Sequence, residues 1–157
     1  MNTTLRIWSV IMLSMMAGCR HSDTASSLPP DYMQIAQTLS NNCVTCFEED
    51  AHGYLWIGTE RGLNRYNGND FHRYYRTADS LSLTDNHISC LHNDSRGRLW
   101  VGSYTGVCYF GEDGAFHRCG VESSSPYVHQ ILEQPDGTIV LNTGNDLTSF
   151  DERAGRF

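Results

Sequence analysis

Apolar residues fall along this chain in two regimes. One long run of apolar and small residues, Ile7 to Gly18 (IWSVIMLSMMAG), stands near the start; after Pro30 apolar residues return only as short runs, many of them set off by Gly, Asn, Asp or Ser. Tyr54-Leu55-Trp56-Ile57-Gly58 is such a run, and short continuous runs between turn residues fit strands buried on both faces. No 3.6-residue apolar period is sustained after residue 18, and glycines are dense, which excludes helical repeats. The expected element is the short strand.

The pattern also repeats. Leu39, Asn42, Cys46, Asp50, Gly53, Leu55, Trp56, Gly58 and Gly62 recur 44 positions on as Leu83, Asn86, Cys90, Asp94, Gly97, Leu99, Trp100, Gly102 and Gly106. A weaker third copy follows 40 positions later, with Gly137, Ile139, Leu141 and Phe150 in place of Gly97, Leu99, Val101 and Phe110. A period of roughly 40–50 residues marks stacked units, none able to bury its apolar faces alone. Residues that recur are read as scaffold; those that do not recur are open to function.

Within the first unit the sequence predicts strands at Cys43–Glu49, Tyr54–Gly58, Leu63–Tyr66 and Phe71–Tyr75. They are separated by Asp50-Ala51-His52-Gly53, by Glu60-Arg61-Gly62 and by the hairpin signal Asn67-Gly68. The second unit predicts strands at Ile88–Asn93, Arg98–Gly102, Val107–Phe110 and Ala115–Cys119. In the third, Gln134-Pro135-Asp136-Gly137 keeps the turn with proline setting φ. Four antiparallel strands per unit make an all-β fold, a β-propeller, of which about three four-stranded blades are expected here as part of an incomplete propeller. The expected blades are 39–82, 83–122 and a partial or divergent 123–157, and the remaining blades of the propeller are its expected partners.

The D-x-x-G-x-L-W-[IV]-G-[TS] core at Asp50–Thr59 and Asp94–Ser103, the Leu39-Ser40-Asn41-Asn42 lead-in, and Gly62-Leu63 and Gly106-Val107 closely resemble two-component regulator propeller repeats. Leu81–Asn86 is similar to that family's inter-blade connector. The third unit departs from the pattern, with Val140 for the tryptophan and Asn142 for the glycine. Sialidase-type Asp boxes, kelch units and WD repeats do not fit this spacing. The resemblance implies the sensor region of a hybrid two-component histidine kinase, with membrane helix, kinase, receiver and DNA-binding module further along the chain. It implies oligosaccharides derived from glycans as ligands and admits a homodimer of the full-length protein. The rival readings are a lipid-anchored module that binds glycan or protein without signalling, and part of an exported propeller enzyme.

The first 18 residues read as a signal peptide: Arg6, a short apolar stretch too brief for the about 20 residues of a spanning helix, then small residues. Met16-Ala17-Gly18-Cys19 resembles a lipobox, which would make Cys19 the lipidated residue; a cleaved signal without lipid and an uncleaved short anchor are the alternatives. Residues 19–31 are a polar tether and 32–38 an orphan strand that would close a later blade. The expected location is the periplasm, free or membrane-anchored.

The net charge of −7 and pI near 5.3 argue against nucleic acid as a partner through this segment. Cys43-x-x-Cys46 lacks a second half-site for zinc, and no nucleotide loop or kinase histidine box is present, so neither catalytic residues nor cofactors are expected. Cys108 and Cys119 lie on adjacent strands, but in a register off by one for a disulfide. Trp56 and Trp100 recur inside apolar strands and are read as packing between blades. Asp50 and Asp94 are read as turn formers. The candidates for ligand contact are non-repeating loop residues: Glu60, Arg61, Tyr104 and Thr105.

Overall fold

Each D-x-x-G segment closes a turn. The Gly53 amide donates to the Asp50 carbonyl at 2.9 Å, Gly97 to Asp94 at 2.9 Å and Gly137 to Gln134 at 2.8 Å. The three glycines sit at φ of 80°, 78° and 82°, where a side chain is strained. An added Cβ at Gly97 meets nothing within 4 Å, so the demand there is on the backbone alone. Gly97→Val should therefore cost about 1–3 kcal/mol through backbone strain, with Gly97→Asn milder, as read from urea denaturation. Equal stability of the two variants would show that φ is not the constraint.

The computed structural model describes residues 39–157. The expected signal peptide, Cys19, the tether and the strand at 32–38 lie outside the described residues. Between the turns run β1 (Val44–Glu49), β2 (Leu55–Thr59), β3 (Gly62–Tyr66) and β4 (Phe71–Tyr74) in one antiparallel sheet, in that order. A second sheet repeats it as β5 (Ile88–Asn93), β6 (Leu99–Ser103), β7 (Gly106–Phe110) and β8 (Phe116–Cys119). Both carry a register shift at the same place, Val44/Cys46 and Ile88/Cys90. The third sheet holds β9 (Gln130–Glu133), β10 (Ile139–Asn142) and β11 (Leu147–Ser149).

That third sheet is the divergent unit: among the described residues it has three strands where the first two sheets have four. Beyond Ser149 the chain turns through Asp151–Gly155, and Arg156 bridges both Asp151 and Gly120. The Phe157 amide donates to the Gly120 carbonyl at 2.8 Å, so these residues strap the third blade to the second rather than extend a ladder of their own.

The core lies between sheets. Trp56 and Leu63 of the first blade meet Leu99, Val101, Cys108 and Phe116 of the second. Trp100 and Val107 of the second meet Ile131, Ile139, Leu141 and Phe157 of the third. Inner strands β1, β5 and β9 are neighbours, and two glycines let them close up. A Cβ on Gly58 would lie 2.5 Å from Cys46 Sγ and 2.7 Å from Ile88; one on Gly102 would lie 2.5 Å from Cys90 Sγ and 2.9 Å from Val128. Hydroxyl pairs tie each connector to its blade: Ser40 to Thr59 at 2.9 Å, Thr84 to Ser103 at 2.9 Å and Ser123 to Thr143 at 3.1 Å. Val107, not Cys108, stands opposite Cys119, and both thiols are unpaired.

Candidate functional site

The repeated aspartate does more than form its turn. Asp94 accepts the Arg96 and Arg98 amides on Oδ1 at 3.0 and 2.9 Å, and the Trp100 indole N–H on Oδ2 at 2.8 Å. Asp50 does the same for Trp56 at 2.7 Å. The third unit changes both partners together, to Gln134 and Val140. That joint change was the sequence signal for the bond, and reasoning from turns alone missed it. Both indoles are buried, 1% exposed at Trp56 and 0% at Trp100, which makes them core rather than a binding platform.

Burial by itself would raise the Asp94 carboxyl, but the indole, the Arg98 amide and the Arg98 guanidinium together hold it below its ordinary value. A depressed carboxyl contributes stability above its unfolded pKa, near 3.9, and loses it as pH falls through the folded value. The melting temperature of the chain should thus exceed that of Asp94→Asn at neutral pH, with the gap narrowing below about pH 4. A gap independent of pH would assign the loss to geometry instead of charge.

Of the predicted loop residues, Glu60 and Arg61 form the exposed β2–β3 turn, and Tyr104 and Thr105 the matching β6–β7 turn. The Thr105 hydroxyl donates to the Thr84 carbonyl at 3.2 Å. Tyr104 is 55% exposed and belongs to a row of rings. His87 stands edge-on to it at 4.6 Å, Tyr127 lies 4.9 Å away, and His129 follows edge-on to Tyr127 at 4.4 Å. The end of the row lies close over a glycine: a Cβ on Gly144 would lie 2.8 Å from His129 Nε2, and Gly144 has φ of 85°. His87, Tyr127 and His129 come from connectors entering β5 and β9, so the row runs across the second and third blades at one end of their sheets. Sequence reasoning reached only Tyr104, because the row is assembled from segments that are not neighbours in the chain.

At the opposite end, the first two blades enclose a cavity of about 240 Å³ beside Asp50, Tyr54, Trp56, Arg65, Phe110 and Glu112. Arg65 lies over the Tyr54 ring at 4.6 Å.

Three of the thiols, Cys90, Cys108 and Cys119, do not offer nucleophiles. Burial pushes Cys90 up to about 12, Cys108 to about 11 and Cys119 to about 12, so each is protonated at neutral pH. Among the described residues no group of three or more His, Cys, Asp and Glu is placed to hold a metal, and no helix is long and apolar enough to cross a membrane.

Residues 38–61 and 82–105 match the family model described as two-component regulator propeller. Comparison with curated proteins finds no match. Among solved structures the chain is similar to the extracellular domain of the putative hybrid two-component system BT3049 from B. thetaiotaomicron. That match has 24% identity and a TM-score of 0.69, over 77% of this chain and 18% of that one. It is also similar to the extracellular domain of the putative one-component system BT4673 from B. thetaiotaomicron (18% identity, TM-score 0.64, 78% of this chain and 19% of that one). Virginiamycin B lyase from Staphylococcus aureus shares the architecture at 17% identity and TM-score 0.58, over 71% of this chain and 39% of the lyase. The chain thus spans less than a fifth of the length of these two extracellular domains. These likenesses establish the fold, a β-propeller.

Proposed function

We propose that this chain, whose residues 38–61 and 82–105 are two-component regulator propeller repeats, is part of an exported sensor that binds glycan-derived oligosaccharides and signals to a kinase further along the protein. The repeat match carries this reading, and the extracellular two-component domain that shares the fold supports it. The chain itself acts by recognition, not catalysis. In this reading the Ile7–Gly18 run directs export, Cys19 anchors the protein by lipid, and the full-length protein signals as a dimer.

The ring row is where the sugar binds. Tyr104 and Tyr127 offer flat faces for sugar C–H groups, and their hydroxyls with the His87 and His129 nitrogens offer polar partners around them. Calorimetry of the full-length protein against a panel of plant and host oligosaccharides tests this. One or more should bind, and Tyr104→Ala should weaken that binding at least tenfold with an unchanged melting temperature. Silence across the panel would sink the sensor reading; binding that ignores Tyr104 and Tyr127 would move the site elsewhere.

A further inference from the structure

The two blade junctions carry the same cation–aromatic stack, with two residues exchanged. At the second junction Arg98 lies over Trp100 at 4.9 Å, Tyr109 at 5.3 Å and Phe150 at 5.8 Å. At the first, Arg65 lies over Tyr54 at 4.6 Å, Trp56 at 5.5 Å and Phe110 at 6.0 Å. Tyr54 and Arg98 occupy one position of the repeat, and Arg65 and Tyr109 another. Tyrosine and arginine have traded strands, and the stack survives.

What the guanidinium meets is different. Arg98 is paired with two carboxylates: its Nε donates to Asp94 at 2.7 Å, and Nη1 and Nη2 donate to Glu152 at 3.1 and 2.9 Å. At the first junction Asp50 is committed to the His52 and Tyr54 amides and the Trp56 indole. Among the described residues no carboxylate comes within 4.0 Å of Arg65.

The counterpart of Glu152 is Glu112, each standing two residues past the matching phenylalanine, Phe150 or Phe110. Their turns differ in length. Phe110 and Phe116 bracket one residue fewer than Phe150 and Phe157. The shorter turn is closed by Gly111 donating to Ala115 and Gly114 donating to Gly111, both at 3.0 Å, and Glu112 is exposed. Beside Glu112 the first junction instead holds a cavity of about 240 Å³ with Arg65 on its wall.

We propose that this cavity is a second binding site, for a small monocarboxylate whose carboxylate takes on Arg65 the place that Glu152 takes on Arg98. Arginine presents paired N–H donors to a carboxylate in fixed geometry. The volume is below the roughly 300–1,000 Å³ of drug-sized ligand sites, so the occupant is about one sugar or amino-acid residue in size. Its body lies against Tyr54 and Phe110. Asp50 and Glu112, on the wall together with His52, repel multiply charged anions more than singly charged ones and so favour a single carboxylate over sulfate or phosphate. The site is independent of the ring row and stands or falls separately from the sensor reading.

The test is calorimetric titration of the full chain with D-glucuronate and with N-acetylalanine, using D-glucose and inorganic sulfate as controls. At least one carboxylate should bind and both controls should not. Preference for glucuronate assigns a sugar acid; preference for N-acetylalanine assigns a peptide-derived carboxylate. Arg65→Gln should weaken binding at least tenfold, and Glu112→Gln should strengthen it. If Arg65→Gln loses its melting transition, Arg65→Lys replaces it, which keeps the charge without the paired donors and should also weaken binding. Failure of both carboxylates to bind, equal binding of glucose or sulfate, or affinity unchanged at position 65 would each overturn the proposal.

Discussion

Trp100→Ala is expected to remove about 3–5 kcal/mol of folding free energy, the range for truncating a fully buried tryptophan. The ring is 0% exposed and joins the second blade to the third. Tyr109, Phe150 and Phe157 surround it at 5.1, 4.9 and 5.6 Å between centroids. Its loss also leaves Asp94, a buried carboxylate, without the indole donor. Trp100→Phe is expected to cost less, about 1–3 kcal/mol, because it keeps an aromatic ring in the junction while losing the hydrogen bond and part of the volume. Urea denaturation followed by circular dichroism reads both. A Trp100→Ala variant as stable as the parent would show that the second and third sheets are not held through this ring.

Gly102→Ala is expected to cost about 1–3 kcal/mol by overpacking, despite adding a single methyl group. The new Cβ would lie 2.5 Å from Cys90 Sγ within its own sheet and 2.9 Å from Val128 at the entry to the next, so both neighbours must give way. Removing the sulfur should return part of the loss: Gly102→Ala with Cys90→Ala should be more stable than the sum of the single changes predicts, since contacting residues couple. Strict additivity would count against the contact. The chain contains its own comparison at the third sheet, where Asn142 pairs with Gln130 in the place of Gly102 with Cys90. Glycine and cysteine change there together, as one steric unit.

Gly97 and Gly102 both repeat a glycine of the first unit, Gly53 and Gly58, yet are glycines for different reasons. Gly97 needs a backbone at φ 78° and has open space around it; Gly102 needs room for its neighbours. The D-x-x-G turn could be recognised from four adjacent letters because its demand is local. The approach of Cys90 and Val128 could not, because it depends on how one sheet leans on the next.

The same division runs through the candidate sites. The strands, their turns and the burial of Trp56 and Trp100 follow from the sequence, because hydrogen-bonded hairpins and buried apolar runs are properties of contiguous residues, and a repeat states them more than once. The third sheet's shortfall to three strands, the Asp94–Trp100 bond, the row from His87 to His129 and the bare guanidinium of Arg65 were decided by tertiary structure. Each brings together residues from separate turns, connectors or blades. Which of them meet is fixed by packing between sheets and by the length of a turn, here one residue fewer before Phe116 than before Phe157. A pattern of apolar and polar letters gives the face on which a side chain lies, but not which side chain of the next blade arrives opposite it.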